Sequence, residues 1–275
     1  MWILYFLPKK WLSFWIGKLV HLKLPRPLAT WSILAFANRY KIRLDEAEKS
    51  VSEYQSIGDF FVRRLKPGIR PISESPLVHP ADSRISQIGV IQEGQCIQAK
   101  GKTYSLEKLC GDQALAKLFQ QGLFVTYYLC PTDYHRVHSP VDGEINRAIH
   151  IPGHLWPVNA WSTENIEDLF AVNERVVVQM ESRLGPCLLI FVGATNVGQI
   201  RLRFDPSMVT NICSSPKQGQ TQTYTPALPV QKGEELGAFH MGSTVVMVYP
   251  KTIATQREDW QDFSGKSVKL GESFL

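Results

Sequence analysis

Residues 240–249 read His240-Met241-Gly242-Ser243-Thr244-Val245-Val246-Met247-Val248-Tyr249. An unbroken apolar run rich in β-branched side chains follows a Gly-Ser pair, the pattern of a buried strand entered through a turn. The same texture recurs upstream. Ile85–Ile91, Phe124–Tyr128, Val176–Met180 and Cys187–Val192 are short β-branched and aromatic runs separated by Gly and Pro. From about residue 77 the chain therefore reads as a mainly antiparallel β body, and the fold class as α+β.

The residues before that body read as helical. A helix from about residue 11 would place Trp11, Leu12, Trp15, Leu19 and Leu22 on one side. Pro25 and Pro27 interrupt it. A second helical stretch runs from about Thr30 to Lys41. A third, roughly 44–66, carries Tyr54, Phe60, Phe61 and Leu65 and stops at Pro67-Gly68. Residues 1–70 are thus expected to form a helical region and 71–275 the β domain. A short helix is expected at 105–120. The segment 205–228, rich in Ser, Thr, Gln and Pro, reads as a mobile loop.

The formal net charge of +5 is unevenly spread. Residues 1–44 hold eight basic side chains (Lys9, Lys10, Lys18, Lys23, Arg26, Arg39, Lys41, Arg43) and no acidic one. The rest of the chain carries 22 basic and 25 acidic side chains, so the basicity belongs to the N-terminal segment. Trp2, Trp11, Trp15 and Trp31 lie there too. Basic residues interleaved with Trp, Phe and Leu suit an anionic lipid surface, where rings settle among head groups and cations meet phosphates. The apolar run Met1–Leu7 precedes the lysines, the reverse of a secretory signal. The uncharged run Trp11–Gly17 is far short of the roughly 20 residues that span a bilayer. The segment is expected to lie on a membrane without crossing it, although a terminal helix docked on the protein's own core has a similar composition. Cys96, Cys110, Cys130, Cys187 and Cys213 are widely spaced with no C-x-x-C pair, which argues against a disulfide scaffold or zinc ribbon and fits a reducing compartment.

Four stretches concentrate reactive groups: His79-Pro80-Ala81-Asp82-Ser83, Tyr134-His135-Arg136-Val137-His138, Val192-Gly193-Ala194-Thr195 and His240–Thr244. Singly, each has a plain reading. Asp82 suits a turn after Pro80, and Gly242-Ser243 a turn entering a strand. His135 and His138 have Cys130 as their one nearby further ligand, so no metal site is expected. Together, an acid, an imidazole and a hydroxyl can form a triad in which the acid orients the imidazole and the imidazole takes the hydroxyl proton. A serine hydrolase is one such reading, but the G-x-S-x-G elbow is absent. Ser243 instead follows glycine directly. A serine after an unhindered glycine can attack the carbonyl of its own preceding peptide bond.

The chain resembles the prokaryotic type of phosphatidylserine decarboxylase from about residue 30 to residue 270. The matching stretches are collinear: Asp59–Ile72, Lys100–Leu106, Asp133–His138, Leu169–Arg175, Val192–Ala194, Lys232–Gly237 and Gly242–Thr244. There are two departures. Met241 stands where the family has Leu, a volume-conserving exchange. Ser83 stands where the family usually has glycine, and would be strained if that position had a positive φ.

The resemblance implies a carboxy-lyase that makes phosphatidylethanolamine from phosphatidylserine with a covalent pyruvoyl group derived from Ser243. By resemblance the chain cuts itself between Gly242 and Ser243 through the Asp82, His138 and Ser243 triad, giving subunits 1–242 and 243–275. The pyruvoyl carbonyl then condenses with the substrate amine and acts as the electron sink for decarboxylation. His135 is implied to position the carboxylate or supply a proton, and Tyr128 is a second candidate for substrate binding. The implied partners are phosphatidylserine, an anionic membrane surface at the cytoplasmic side of the cell membrane, and a second copy in a homodimer. No external cofactor, metal or nucleic acid is implied. A lipid-binding protein that kept the fold and lost activity is the rival reading, against which the intact Asp82, His138, Gly242 and Ser243 argue.

Overall fold

The computed structural model describes residues 9–99, 101–195, 199–211, 219–240 and 243–275, with side chains from residue 15 onward except at position 243. Trp2, Lys100, Cys213, Met241 and Gly242 lie outside the described residues, as do the side chains of Lys9, Lys10, Trp11, Leu12 and Ser243.

The strands are β1 (Ser83–Val90), β2 (Gln95–Ala99), β3 (Lys102–Ser105), β4 (Leu123–Leu129), β5 (Arg136–His138), β6 (Gly143–Ile151), β7 (Arg175–Ser182), β8 (Gly185–Val192), β9 (Ile200–Leu202), β10 (Gln220–Val230), β11 (Glu235–Phe239), β12 (Ser243–Tyr249) and β13 (Ser267–Val268). Eight of them form one sheet in the order β10-β6-β7-β8-β12-β4-β1-β13. Every pairing in it is antiparallel. A second sheet has the order β5-β11-β9, and β2-β3 is a separate hairpin.

The apolar run after Ser243 does not alternate because β12 is covered on both faces. Val245 and Met247 enter one core with Val125, Tyr127, Leu189 and Phe191. Val246 and Val248 enter another with Phe124, Leu188 and Ile190. Each fully buried side chain of this size contributes roughly 1.5–3 kcal/mol, which holds β12 at the centre of the sheet. The chain passes from β11 of the small sheet through residues 240–242 into β12 of the large one, so the Gly-Ser junction joins two sheets.

Helices α1 (Lys9–Val20), α2 (Arg26–Tyr40) and α3 (Ile57–Phe61) precede the sheets. The prolines start α2: Pro25 is its N-cap and a proline occupies its first turn, where no intrahelical N–H is needed. Only a narrow seam of α2, Ala29, Ile33 and Ala37, is buried; Ile33 and Ala37 share a small core with Ile42, Tyr54 and Phe60. Its bulkier apolar residues Leu28, Trp31 and Leu34 face outward. Among the described residues no helix is long and apolar enough to cross a membrane.

Three expectations need correction. The third helix, 44–66, is instead two single 3-10 turns, Leu44–Glu46 and Val51–Glu53, followed by α3. Serines break it, because their hydroxyls bond the backbone locally: Ser50 closes a capping box with Glu53, and Ser56 Oγ accepts from Asp59 N at 3.0 Å. The helix at 105–120 is split into Leu106–Cys110 and Gln113–Lys117 at Gly111, which has φ +66°. The segment read as a loop over 205–228 ends in the long strand β10. As an edge strand it bonds, among the described strands, to β6 alone, which tolerates Pro226 and Pro229, and its pairing shifts register between Thr223 and Leu228.

Candidate active site

The small sheet sets His135 beside the residues that lead into the Gly-Ser junction. In β5 and β11, Glu235 pairs with His138 and Ala238 with Arg136. The ladder is extended where Phe239 N donates to His135 O at 3.0 Å. His135 therefore lies beside the last residues before the junction, and His138 lies three residues along the strand. Ser243 opens β12 opposite Leu129, and the next residue, Thr244, pairs with both Tyr128 and Val192.

His135 is fully buried and packs on Phe61 of α3, with ring centroids 4.0 Å apart. Its Nδ1–H donates to Asp133 O at 2.9 Å, while Nε2 has no partner among the described residues. Burial pushes its pKa down to about 3, against the smaller opposing effect of the Asp133 carbonyl. The result is a neutral imidazole whose Nε2 carries a lone pair. His138 has the same tautomer: Nδ1–H donates to Gly233 O at 2.8 Å, and Nε2 accepts from the Tyr134 hydroxyl at 3.3 Å. Burial lowers its pKa also, although the Gly233 carbonyl and Glu235 oppose the shift.

Asp82 is buried at the start of β1. Its carboxylate accepts from Arg70 Nε at 2.9 and 3.1 Å, from Arg70 Nη2 at 2.6 Å, from Leu270 N at 3.0 Å and from Lys269 Nζ at 3.2 Å. Burial pushes its pKa up, but Arg70, the Leu270 amide and Lys269 together hold it below the usual range, so Asp82 is ionised. Arg70 also reaches Glu46 at 2.8 Å. The expected hydrogen bond from His138 to Asp82 is not formed. The two are neighbours through the backbone, where His138 N donates to Pro80 O at 2.9 Å, and Asp82 acts on His138 through space, favouring its protonated form. Gly233 O, not Asp82, sets the tautomer of His138.

Ser83 is not strained. It is the first residue of β1 and is not among the residues with positive φ. Tyr128 is half-buried, and burial raises its pKa. It lines a cavity of about 470 Å³ with Thr244 and Arg84. Gly193 N donates to Glu174 O at 2.8 Å, and Asn173 Nδ2 donates to Gly193 O at 2.9 Å. A Cβ on Gly193 would stand 3.1 Å from both Glu174 O and Leu155 Cδ2, a tight fit that a side chain could enter only if these neighbours gave way. Among the described residues His79 packs on Tyr127 and Phe274. Its Nδ1 lies 3.0 Å from the Tyr127 hydroxyl, and burial pushes its pKa to about 4.

Several contributors carried no individual signal in the sequence. Arg70 sat inside a matched stretch without a role, and Lys269 and Leu270 are nearly 190 residues from the Asp82 they bind. Gly233 and Phe61 orient and cover the two imidazoles from elements distant in sequence.

A sequence model described as phosphatidylserine decarboxylase matches residues 57–275. The phosphatidylserine decarboxylase proenzyme of Myxococcus xanthus (strain DK1622) is 42% identical over 259 residues, covering 93% of this chain and 89% of that protein. The proenzyme of Anaeromyxobacter sp. (strain K) is 41% identical over 270 residues, covering 97% and 94%. That of Polaromonas sp. (strain JS666 / ATCC BAA-500) is 41% identical over 280 residues, covering 98% and 95%.

Proposed function

The chain belongs to the phosphatidylserine decarboxylase family, and on that premise we propose that it cuts itself at Gly242-Ser243 and decarboxylates phosphatidylserine to phosphatidylethanolamine with the resulting pyruvoyl group. The observation that carries this reading is the bond from Phe239 N to His135 O. It fastens the two-histidine strand to the residues that lead into Ser243.

His138 is the base for self-cleavage. Its neutral Nε2 takes the Ser243 Oγ proton as Oγ adds to the Gly242 carbonyl, and returns it to the departing nitrogen. The peptide becomes an ester. Loss of the α-proton of residue 243 expels Gly242 as a carboxylate and leaves dehydroalanine. Tautomerisation and hydrolysis by one water then release ammonia and leave an N-terminal carbonyl. The products are residues 1–242 and 243–275. Asp82 favours the imidazolium through space and is a positioning residue.

The site suits a serine-derived carbonyl: a buried, neutral imidazole whose Nε2 has no partner among the described residues, His135, stands by the residues that lead into the junction. The pyruvoyl group supplies an electron sink for the carbanion left by loss of CO2. His135 holds or delivers the proton that replaces the carboxylate, and Tyr128, beside Thr244, is the second candidate for contacting substrate.

In this reading residues 1–70 associate with an anionic membrane and residues 71–275 carry the chemistry, as a peripheral protein on the cytoplasmic side of the cell membrane. Support comes from the surface: among the described residues, Trp15, Leu19, Leu22, Leu28, Trp31, Leu34 and Tyr40 make up seven of the ten exposed large apolar side chains. Denaturing mass spectrometry tests the core of the proposal. The wild-type protein should give two chains, the smaller blocked at its N-terminus, and Ser243→Ala one inactive chain. A wild-type protein that stays uncut while decarboxylating the lipid overturns it.

A further inference from the structure

A cavity of about 710 Å³ opens between the C-terminal end of α1 and the β9 region. That volume lies within the roughly 300–1,000 Å³ of small-molecule sites. Lys18, His21 and Lys23 line one side, and Gln199, Arg201 and His240 line the other. Three of these side chains are cations, and among the described residues no acidic one lines the cavity. Arg201 is exposed and donates from Nε to Gln199 Oε1 at 3.0 Å; among the described residues no carboxylate pairs with it. The two imidazole rings stand 5.2 Å apart, and His240 Nδ1 is buried without a partner among the described residues. Burial, with Arg201 nearby, keeps both rings neutral. The cavity thus offers permanent positive charge and neutral hydrogen-bonding groups, the chemistry that receives a phosphate anion.

Its position says which phosphate. His240 stands three residues before Ser243, so the cavity is within about 10 Å of chain from the reacting centre. In a serine phospholipid the phosphorus is three bonds from the amine-bearing carbon, so the phosphodiester must bind within one head-group length of position 243. Leu22 lines the cavity and is exposed, as is Leu19 one turn away. The mouth therefore lies beside the apolar surface on which acyl chains would rest.

We infer that this cavity holds the phosphodiester of the phospholipid head group, with Arg201 as its main anchor and Lys23 as a second; the inference rests on the decarboxylase reading above. Arg201 is a specificity-determining residue, because losing it weakens substrate and transition state alike.

The test uses the self-cleaved protein and short-chain, monomeric phosphatidylserine, which removes membrane docking from the measurement. Arg201→Gln should mature normally and raise KM about ten- to hundredfold, the usual loss for one charge-assisted bond, with kcat per pyruvoyl within about twofold. Arg201→Lys should recover part of the loss, and Lys23→Gln should show a smaller one. Glycerophosphoserine should inhibit the wild type competitively and the Arg201→Gln variant far less, and inorganic phosphate at equal concentration should inhibit neither. Should Arg201→Gln impair maturation, calorimetric titration of glycerophosphoserine into the uncut Ser243→Ala chain, with and without Arg201→Gln, reads the same contact. An unchanged KM and unchanged glycerophosphoserine binding overturn the inference alone. Equal inhibition by inorganic phosphate also overturns it, by assigning the cavity to free phosphate. A wild-type protein that makes no pyruvoyl or no ethanolamine lipid overturns the decarboxylase reading with it.

Discussion

Arg70 holds the Asp82 carboxylate with two nitrogens, Nε at 2.9 Å from Oδ1 and Nη2 at 2.6 Å from Oδ2. Both side chains are largely withdrawn from water, at 11% and 2% exposure. The pair ties the segment that follows α3 to the first strand of the β body, and it occupies the acid expected to orient His138. Asp82 therefore has a structural load as well as an electrostatic one.

Removing one partner of a buried ion pair costs about 3–5 kcal/mol, because the other charge is left uncompensated. Asp82→Asn and Arg70→Gln should each lower the thermal midpoint of the uncut Ser243→Ala chain by several degrees. In the chain that keeps Ser243, Asp82→Asn should also slow maturation. The double variant Asp82→Asn with Arg70→Gln should regain part of the stability and none of the maturation rate. If it regains both, Asp82 serves the fold alone.

The histidines should separate the two reactions. His138→Ala should reduce the maturation rate about 10²-fold or more, the typical contribution of a general base. His135→Ala should mature substantially and decarboxylate poorly per pyruvoyl. Pyruvoyl content and phosphatidylethanolamine formation measured in one sample distinguish the two defects. Because the ladder sets His135 beside Phe239 and His138 three residues further along, an uncut His135→Ala chain would exchange their roles.

Acid should weaken the fold in a defined window. Burial drives His79 from 6.5 to about 4, and His135 and His240 from 6.5 to about 3. His21 and His138 shift in the same direction. Below pH 6.5 the unfolded chain binds protons that the folded chain refuses, so this stability is complete above 6.5 and is lost as pH falls toward 3. Each such histidine contributes a slope of up to about 1.4 kcal/mol per pH unit. The urea midpoint of the uncut Ser243→Ala chain, followed from pH 7.5 to 5, should fall continuously below 6.5. A flat profile would mean that these imidazoles are hydrated.

The β body was legible because strands buried on both faces are written as continuous apolar runs, as in Val245–Tyr249 and Cys187–Val192. The candidate site could be read only as residue types, because Asp82, His135, His138 and Gly242-Ser243 lie in matched or reactive stretches. Its connections could not be read. Which group faces His138 is decided by register between β5 and β11 and by the turn at Gly233, which has φ +82°. The partners of Asp82 come from Arg70 and from the far end of the chain. Helix 44–66 failed for a local reason: Ser50 and Ser56 offer the backbone closer partners than a continuing helix would.

The membrane prediction follows from what α1 and α2 leave outside. Leu19 is 70% exposed, Trp31 69% and Trp15 53%. Deleting residues 1–28 would be a blunt test, because His21 packs on Gly58, where a Cβ would come within 2.3 Å of its ring, and the cut would remove the first turn of α2, whose Ile33 and Ala37 anchor it to the small core. Surface substitutions keep those contacts. Trp31→Ala with Leu19→Ser should leave self-cleavage and turnover of monomeric substrate near the wild-type level. The same pair should weaken co-sedimentation with anionic vesicles, and its effect should depend little on salt, since apolar burial is not screened. Arg26→Gln with Arg39→Gln should weaken co-sedimentation by about 1 kcal/mol per charge near the surface, and salt should erase that difference within the screening length. Turnover of vesicle-embedded phosphatidylserine should fall in parallel with binding in both sets. If Trp31→Ala with Leu19→Ser sediments like the wild type and turns over vesicle substrate equally well, this apolar face meets something other than a bilayer.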